Sequence, residues 1–185
     1  MRVIAGKAKG HPLKCPRDSR IRPTSEIVRG AIFSALESAL IDWSRTLDLC
    51  AGTGSLGIEA LSRGAEEADF VDRSSKCCSI IRDNLKHTGF AEKANVYRLN
   101  TDKAIHTFKK QYSLIFLDPP YADENVWTTL AKVTSSNLVG IDTTIVMEHS
   151  QKMKPEAYYG NFQMINSLHH GDTHISIFQC EGGKN

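Results

Sequence analysis

The fold of this chain is decided by residues 47–57, which read Leu47-Asp48-Leu49-Cys50-Ala51-Gly52-Thr53-Gly54-Ser55-Leu56-Gly57. The apolar start is typical of a buried strand, and the three glycines have the G-x-G-x-x-G spacing of a turn that leads into a helix. Glycine allows a tight turn and a close approach of the backbone to a ligand, while the start of a helix offers N–H groups. The segment therefore predicts a strand, turn and helix that bind a nucleoside-bearing cofactor.

Strands and helices alternate on the C-terminal side of this segment, which predicts a mostly parallel sheet with helices on both faces, an α/β fold. A hairpin around His170-Gly171-Asp172 adds the last strand antiparallel. Upstream, Thr24 is the expected N-cap of a helix whose apolar stripe ends at Leu40. The predicted strands are 46–50, 68–72, 94–99, 112–117 and 143–148, followed by hairpin strands 162–165 and 174–178, and the predicted helices after Leu40 are 55–63, 75–87, 103–109 and 123–135.

The composition is that of a folded protein with one ordinary domain: 185 residues, 41% hydrophobic and 24% charged,. No stretch approaches the roughly 20 apolar residues that cross a bilayer, and the N-terminus lacks the apolar core of a signal peptide. The five cysteines have no disulfide framework spacing. We therefore expect a cytoplasmic protein with no membrane contact.

The first 30 residues hold eight basic and two acidic side chains, whereas the remainder holds 15 basic and 19 acidic ones. A basic arm on a mildly acidic body indicates a polyanionic partner, although a solvated basic surface would give the same pattern. We expect a small hairpin arm over residues 1–22 and a second unit over 23–185. The candidate contacts with such a polyanion, such as RNA, are Arg2, Lys7, Lys9, Arg20, Arg22, Thr24 and Arg29.

Acidic residues at three predicted strand ends favour one class of cofactor. Asp48 precedes the glycines, where its charge would repel a pyrophosphate but suit the ammonium and sulfonium of S-adenosylmethionine. Asp72 ends the next strand, where an acid holds ribose hydroxyls. Asp102 follows the third strand and either accepts from an adenine amino group or caps a helix. The candidate cofactor contacts are Asp48, Cys50, Ala51, Gly52, Thr53, Gly54, Asp72, Arg73, Thr101 and Asp102.

The apolar run 112–117 ends at Asp118-Pro119-Pro120-Tyr121, which we call the tetrad. Proline cannot donate to a sheet ladder, so the tetrad ends the strand at the edge where α/β sheets bind ligands. The Asp118 carboxylate and the Pro119 carbonyl can accept hydrogen bonds from an exocyclic amine and make its nitrogen more nucleophilic. Asp118 can also take a proton, and Tyr121 can stack on a base. The tetrad is therefore the candidate catalytic group.

The tetrad resembles the motif of methyltransferases that act on exocyclic or planar nitrogens. Taken with other segments, the chain is similar to the RsmD-type methyltransferases, which methylate the guanine N2 amino group in bacterial small-subunit (16S) ribosomal RNA. The resemblance spans nearly the whole chain, in segments 1–7, 22–24, 28–29, 32–33, 47–65, 84–85 and 171–173.

This resemblance implies a Rossmann-like class I methyltransferase sheet that uses S-adenosyl-L-methionine. It also implies that Gly52, Gly54, Asp72 and Asp102 contact the cofactor, that the tetrad contacts the target base, and that the basic arm grips phosphates. The implied partner is ribosomal RNA, within a small-subunit assembly particle.

Three alternatives stay open: a methyltransferase of adenine or another nitrogen, a non-catalytic RNA-binding protein with this fold, and a nicotinamide-dependent oxidoreductase. Families directed at adenine or glutamine more often have Asn before Pro-Pro, so Asp118 favours guanine. The histidines near the closing hairpin lack a ligand set, and we expect no metal. Glu148 ends a predicted strand without an assigned role.

Overall fold

The computed structural model describes residues 1–16, 25–119 and 126–182. These residues form an α/β fold of eight strands and five α-helices, with a single 3₁₀ turn at Ala91–Lys93. The strands are β1 Arg45–Leu49, β2 Glu67–Asp72, β3 Ala94–Arg98, β4 Leu114–Leu117, β5 Thr144–Ser150, β6 Tyr158–Tyr159, β7 Phe162–His170 and β8 Thr173–Cys180. The helices are α1 Glu26–Ser38, α2 Ser55–Ser62, α3 Ser75–Thr88, α4 Thr101–Thr107 and α5 Val126–Thr134.

All eight strands form one sheet in the order β3-β2-β1-β4-β5-β8-β7-β6. Strands β1 to β5 are parallel, and β8 pairs antiparallel with β5 on one side and β7 on the other. The predicted mostly parallel sheet with an antiparallel closing hairpin is therefore confirmed. The short strand β6, which pairs with β7, was not predicted, because two residues carry no readable alternation.

Two apolar clusters cover the faces of the sheet. Helices α1, α2 and α3 pack on one face, where Phe33 of α1 lies 5.8 Å, ring to ring, from Phe116 of β4. Helices α4 and α5 pack on the other face, where Leu130 meets Leu117 and Met147 in one cluster. Because successive strand residues point to opposite faces, β4 and β5 contribute alternately to both clusters.

Two predicted helix starts are wrong by one or two residues. The side chain of Ser25 caps α1 by accepting from Val28 N–H at 3.2 Å, and Thr24, the predicted cap, lies outside the described residues. Asn100 caps α4 by accepting from Lys103 N–H at 2.8 Å, so Asp102 lies in the first turn instead of at the cap. Serine, threonine, asparagine and aspartate have similar capping strength, so local geometry decides between neighbours.

The N-terminal segment, residues 1–16, is a hairpin reduced to a single bridge between Arg2 and Pro12. It does not extend the sheet but packs on α2: Lys7 N–H donates to the Ser62 carbonyl at 2.8 Å. Gly6 needs its φ of +77° there, and a Cβ at this position would come within 1.9 Å of the Ser62 oxygen. Among the described residues, no helix combines the length and apolar composition needed to cross a membrane.

Candidate active site

The candidate site lies at the carboxyl edge of the parallel strands, between β1 and β4. Strand order reverses there, since β2 and β3 lie on one side of β1 while β4 and β5 lie on the other. Such a reversal opens a crevice, which is where α/β sheets bind ligands. The crevice brings together Cys50 after β1, Asp72 at the end of β2 and Asp118 after β4.

The glycine turn, residues 50–54, has three left-handed positions. Gly52 has φ +56°, Gly54 has φ +76° and is the N-cap of α2, and Cys50 has φ +62°. The left-handed region is strained for a side chain such as cysteine, and such strain clusters at functional sites. Here the left-handed residues let the chain pass from the end of β1 to the start of α2 in a short turn.

Asp72 fixes the turn from the neighbouring strand. Its Oδ2 accepts from Gly52 N–H at 2.9 Å, and its Oδ1 accepts from Ser74 N–H at 2.7 Å. Asp72 is only partly buried, and a carboxylate has about four acceptor sites, so it can accept further hydrogen bonds. The carboxylate is therefore held in place at the site and remains open to a ligand.

Asp48 is buried, with 1% of its surface exposed, and its Oδ2 accepts from Gly57 N–H at 3.0 Å. Burial raises the pKa of Asp48 to about 8, against the opposing effect of the Gly57 hydrogen bond. The neutral form of the Asp48 carboxyl is therefore favoured at neutral pH in the cofactor-free fold, and the charge argument for a sulfonium over a pyrophosphate stays a prediction. What Asp48 does is hold the first turn of α2 against β1.

Gly57 allows this close packing of helix on strand. A Cβ at Gly57 would come within 2.4 Å of the Phe70 ring and 3.3 Å of the Asp48 carboxyl. The third glycine of the motif therefore serves the contact between α2 and the sheet.

Cys50 links the turn to the start of α4. Its Sγ lies 3.3 Å from Thr101 Oγ1. Burial raises the pKa of the Cys50 thiol to about 11, and the charges of Asp118 and Asp72 add to the rise. The thiol is neutral at physiological pH. Since β1 pairs with β2 on one side and with β4 on the other, Cys50 follows the middle of the three strand ends.

The remaining predicted cofactor residues differ in exposure. Ala51 and Thr53 are buried in the turn, whereas Arg73 is exposed. Asp102 is exposed too, and its Oδ1 accepts from Lys132 Nζ of α5 at 2.7 Å. An ion pair between two half-exposed side chains is weak, so Asp102 can exchange this partner for a ligand.

The described part of the tetrad ends the central strand. Asp118 follows Leu117 directly and is partly buried, and Pro119 is buried. Pro120 and Tyr121 lie outside the described residues, as do Arg20, Arg22 and Thr24 of the predicted RNA contacts.

Arg29 is not an RNA contact, because its side chain is fully buried in α1. Its Nε lies 3.9 Å from Oε2 of Glu59, and its guanidinium also donates to the Arg2 carbonyl. Sequence reasoning missed this because a buried ion pair between two helices looks like two surface charges.

The carboxylate of Glu59, the partner of Arg29, accepts hydrogen bonds from several donors. Its two oxygens accept from Ile4 N–H at 2.8 Å and Ala5 N–H at 3.0 Å, and Arg63 Nε donates to it at 2.9 Å. The N-terminal segment is therefore fixed to α2 through its backbone.

The exposed basic residues of the segment lie on its outer side. Lys7 and Lys9 are exposed beside the C-terminal end of α2, roughly 12 Å along that helix from the glycine turn,. Arg2 is exposed and pairs with Glu26 at 3.2 Å. The structure therefore does not bring Lys7 and Lys9 to the crevice itself.

Asn84 of α3 is a connecting residue that was recognised only through the family resemblance. It is buried and exchanges two hydrogen bonds with the Lys14 backbone, at 2.8 and 3.1 Å, while donating to the Thr53 carbonyl at 3.0 Å. The N-terminal segment and the glycine turn thus share one side chain. An asparagine on the buried side of a predicted helix was the available signal.

Comparison with known proteins places the chain among methyltransferases. The family described as "Conserved hypothetical protein 95" matches residues 1–179. The chain is 36% identical over 185 residues to "Putative rRNA methyltransferase YlbH" of Bacillus subtilis, covering 98% of this chain and 100% of that protein.

Two matches from Escherichia coli, one to a curated protein and one to a solved structure, extend the comparison. "Ribosomal RNA small subunit methyltransferase D" is 32% identical over 181 residues, covering 98% of this chain and 90% of that protein. The solved structure described as "Putative methyltransferase yhhF from Escherichia coli" superposes with a TM-score of 0.85 at 26% identity, covering 98% of each chain. The chain therefore belongs to the Conserved hypothetical protein 95 family, the family of ribosomal RNA small subunit methyltransferase D.

Proposed function

We propose that this protein transfers a methyl group from S-adenosyl-L-methionine to the exocyclic N2 amino group of a guanine in small-subunit (16S) ribosomal RNA. The observation that carries the proposal is the meeting of the glycine turn, Asp72 and Asp118 at the point where the strand order reverses. The names of the family's relatives support ribosomal RNA as the substrate.

The residues present fit the proposed cofactor. Asp72 is held by Gly52 and keeps acceptor capacity for ribose hydroxyls,. Asp102 and Thr101 lie at the start of α4, where they can contact the base of the nucleoside. When bound, the cofactor supplies an electrophilic methyl group on a sulfonium.

Asp118 and Pro119 then act on the amine that receives the methyl group. The carboxylate and the carbonyl accept its two N–H groups, which orients the nitrogen and raises its electron density. Positioning of this kind supplies most of the acceleration when the leaving group is already good. Asp118 also accepts the proton that the amine loses, and Tyr121 stacks on the base.

The RNA would extend from the crevice to the N-terminal arm. Residues 1–22 would form the arm, and residues 23–185 the catalytic unit. Lys7 and Lys9 are exposed and available for phosphates, and Arg2, Arg20, Arg22 and Thr24 would add to this surface. The substrate in the cytoplasm would be ribosomal RNA in an assembling small-subunit particle.

A transfer assay tests the proposal. Protein and tritium-labelled S-adenosyl-L-methionine are incubated with hypomethylated small-subunit RNA and, separately, with small-subunit particles, and labelled nucleosides are identified. We expect label in N2-methylguanosine. Label in N6-methyladenosine would show that the target base is adenine and not guanine. The absence of label in any RNA would favour a non-catalytic RNA-binding protein.

A further inference from the structure

Glu148 lies beside Asp118 at the candidate site. Strands β4 and β5 run parallel, with Phe116 paired to Val146 and Leu117 paired to Met147. One residue further along each strand are Asp118 and Glu148, and neighbouring strands lie about 4.8 Å apart. The register therefore puts two acidic residues side by side where the strands reach the crevice.

Glu148 lies on the face of the sheet that α1, α2 and α3 cover. Phe116 and Val146 belong to the cluster under α1, α2 and α3, and Leu117 and Met147 belong to the opposite cluster. By alternation, Glu148 shares the face of Val146. Its antiparallel partner on β8, Ile175, belongs to the same cluster, which agrees with this orientation.

Glu148 is 7% exposed, and it follows the apolar residues 145–147 of β5 towards the crevice end of the strand. Among the residues that the structure describes, Glu59 is also a buried glutamate, but it lies on α2 beside two arginines, far from the crevice. Glu148 lies at the site itself.

We infer that Glu148 is a specificity residue that accepts a hydrogen bond from N1–H of the target guanine while Asp118 accepts from its N2 amino group. The inference rests on the proposed function. The Watson–Crick edge of guanine has two adjacent donors, N1–H and N2–H, which two neighbouring acceptors can bind. Adenine has an acceptor at N1, so a carboxylate there repels it.

Base analogues test this contact directly. The guanine mapped in the transfer assay is replaced, by ligation of synthetic RNA, with 2-aminopurine or 2,6-diaminopurine. Both analogues keep the amino group at C2 but have a lone pair at N1. For the wild-type protein we expect kcat/KM to favour guanine by about tenfold to a hundredfold.

Glu148→Gln and Glu148→Met remove the carboxylate while nearly conserving volume. We expect both substitutions to lower kcat/KM for guanine. The preference for guanine over the two analogues should fall to within about threefold, since glutamine can donate to the N1 lone pair of an analogue and methionine does not repel that lone pair. The matched control is Glu59→Gln, which alters a buried glutamate with structural partners. It should lower the melting temperature and leave the preference unchanged.

Two results would overturn the inference. One is a wild-type protein that methylates guanine and the analogues equally well, a measurement that needs no variant. The other is a fall in all substrates by the same factor in the Glu148 variants, which would assign Glu148 to folding or to contacts with the N-terminal part of the chain. Failure of the wild-type protein to methylate guanine at all would contradict the proposed function instead.

Discussion

The two ends of helix α2 hold buried carboxyls in opposite ways. At its N-terminal end, Asp48 meets the N–H of Gly57, and burial raises its pKa to about 8. In its C-terminal half, Glu59 receives two backbone N–H groups and lies beside the guanidinium groups of Arg29 and Arg63. The carboxyl of Glu59 is therefore surrounded by several donors and two guanidinium groups, whereas that of Asp48 has one backbone donor.

The difference separates the edge that holds the candidate site from a structural group around Glu59, which we call the clamp. The edge has strained backbone at Cys50 and partly exposed acids at positions 72 and 118. The clamp has several hydrogen bonds that fix residues 4–8 to α2. Substitutions at the edge should therefore change the chemistry, and substitutions in the clamp should change the free energy of unfolding.

Asp118→Ala should have the largest effect. We expect turnover to fall by about a hundredfold to ten thousandfold, because general acid–base assistance and amine orientation are both lost. Cofactor affinity, measured by calorimetry, should change little. The matched control is Asp142→Ala, an exposed acid that precedes β5 at the opposite edge of the sheet. Normal turnover in the Asp118 variant would remove this residue from the mechanism.

Glu59→Ala should act on folding. Removing one partner of a buried charge group leaves Arg29 buried without its carboxylate, which costs about 3–5 kcal/mol in the free energy of unfolding, measured in urea. Glu37→Ala removes the other, half-exposed partner of Arg63 and should cost less than about 1 kcal/mol. Equal losses in the two variants would show that the clamp is no stronger than a surface pair.

The sheet was predictable because its signals are local. Short segments predicted their own structure: the apolar runs predicted β1 and β4, and the glycines at 52, 54 and 57 predicted the turn between β1 and α2,. Alternation then decides the topology, since parallel strands need helical crossovers.

The properties that the sequence did not reveal depend on distant residues. Arg29 is buried because Glu59 and the N-terminal backbone meet it, and no pattern within α1 indicates that. Asp48 is mostly neutral because α2 and β1 close around it. Asn84 bridges residues 14 and 53, a contact across 31 and 70 positions that periodicity cannot reveal.

Asp48→Asn should change the pH dependence of stability. The pKa of Asp48 rises from its ordinary value of 3.8 to about 8 in the fold. Because the folded state holds this proton more tightly than the unfolded state, the raised pKa contributes its whole stabilisation below about pH 4. As the pH rises from 4 toward 8, the free energy of unfolding falls by up to about 1.4 kcal/mol per pH unit. The asparagine variant should lack this loss, so urea unfolding of the cofactor-free proteins at pH 5 and pH 7 should diverge. Parallel pH profiles would show that Asp48 is ionised in the fold.

Lys7→Ala and Lys9→Ala should have the smallest effects and test the outer side of the clamp. Their side chains are exposed while the backbone of Lys7 is bonded to Ser62, so the substitutions should leave the fold intact. Each lost phosphate contact should weaken binding of the substrate RNA a fewfold and reduce the slope of log affinity against log salt by about one. Lys93→Ala, exposed on the 3₁₀ turn before β3, should leave the slope unchanged. An unchanged slope in the Lys7 and Lys9 variants would limit the N-terminal segment to its structural role and move the RNA surface closer to the crevice.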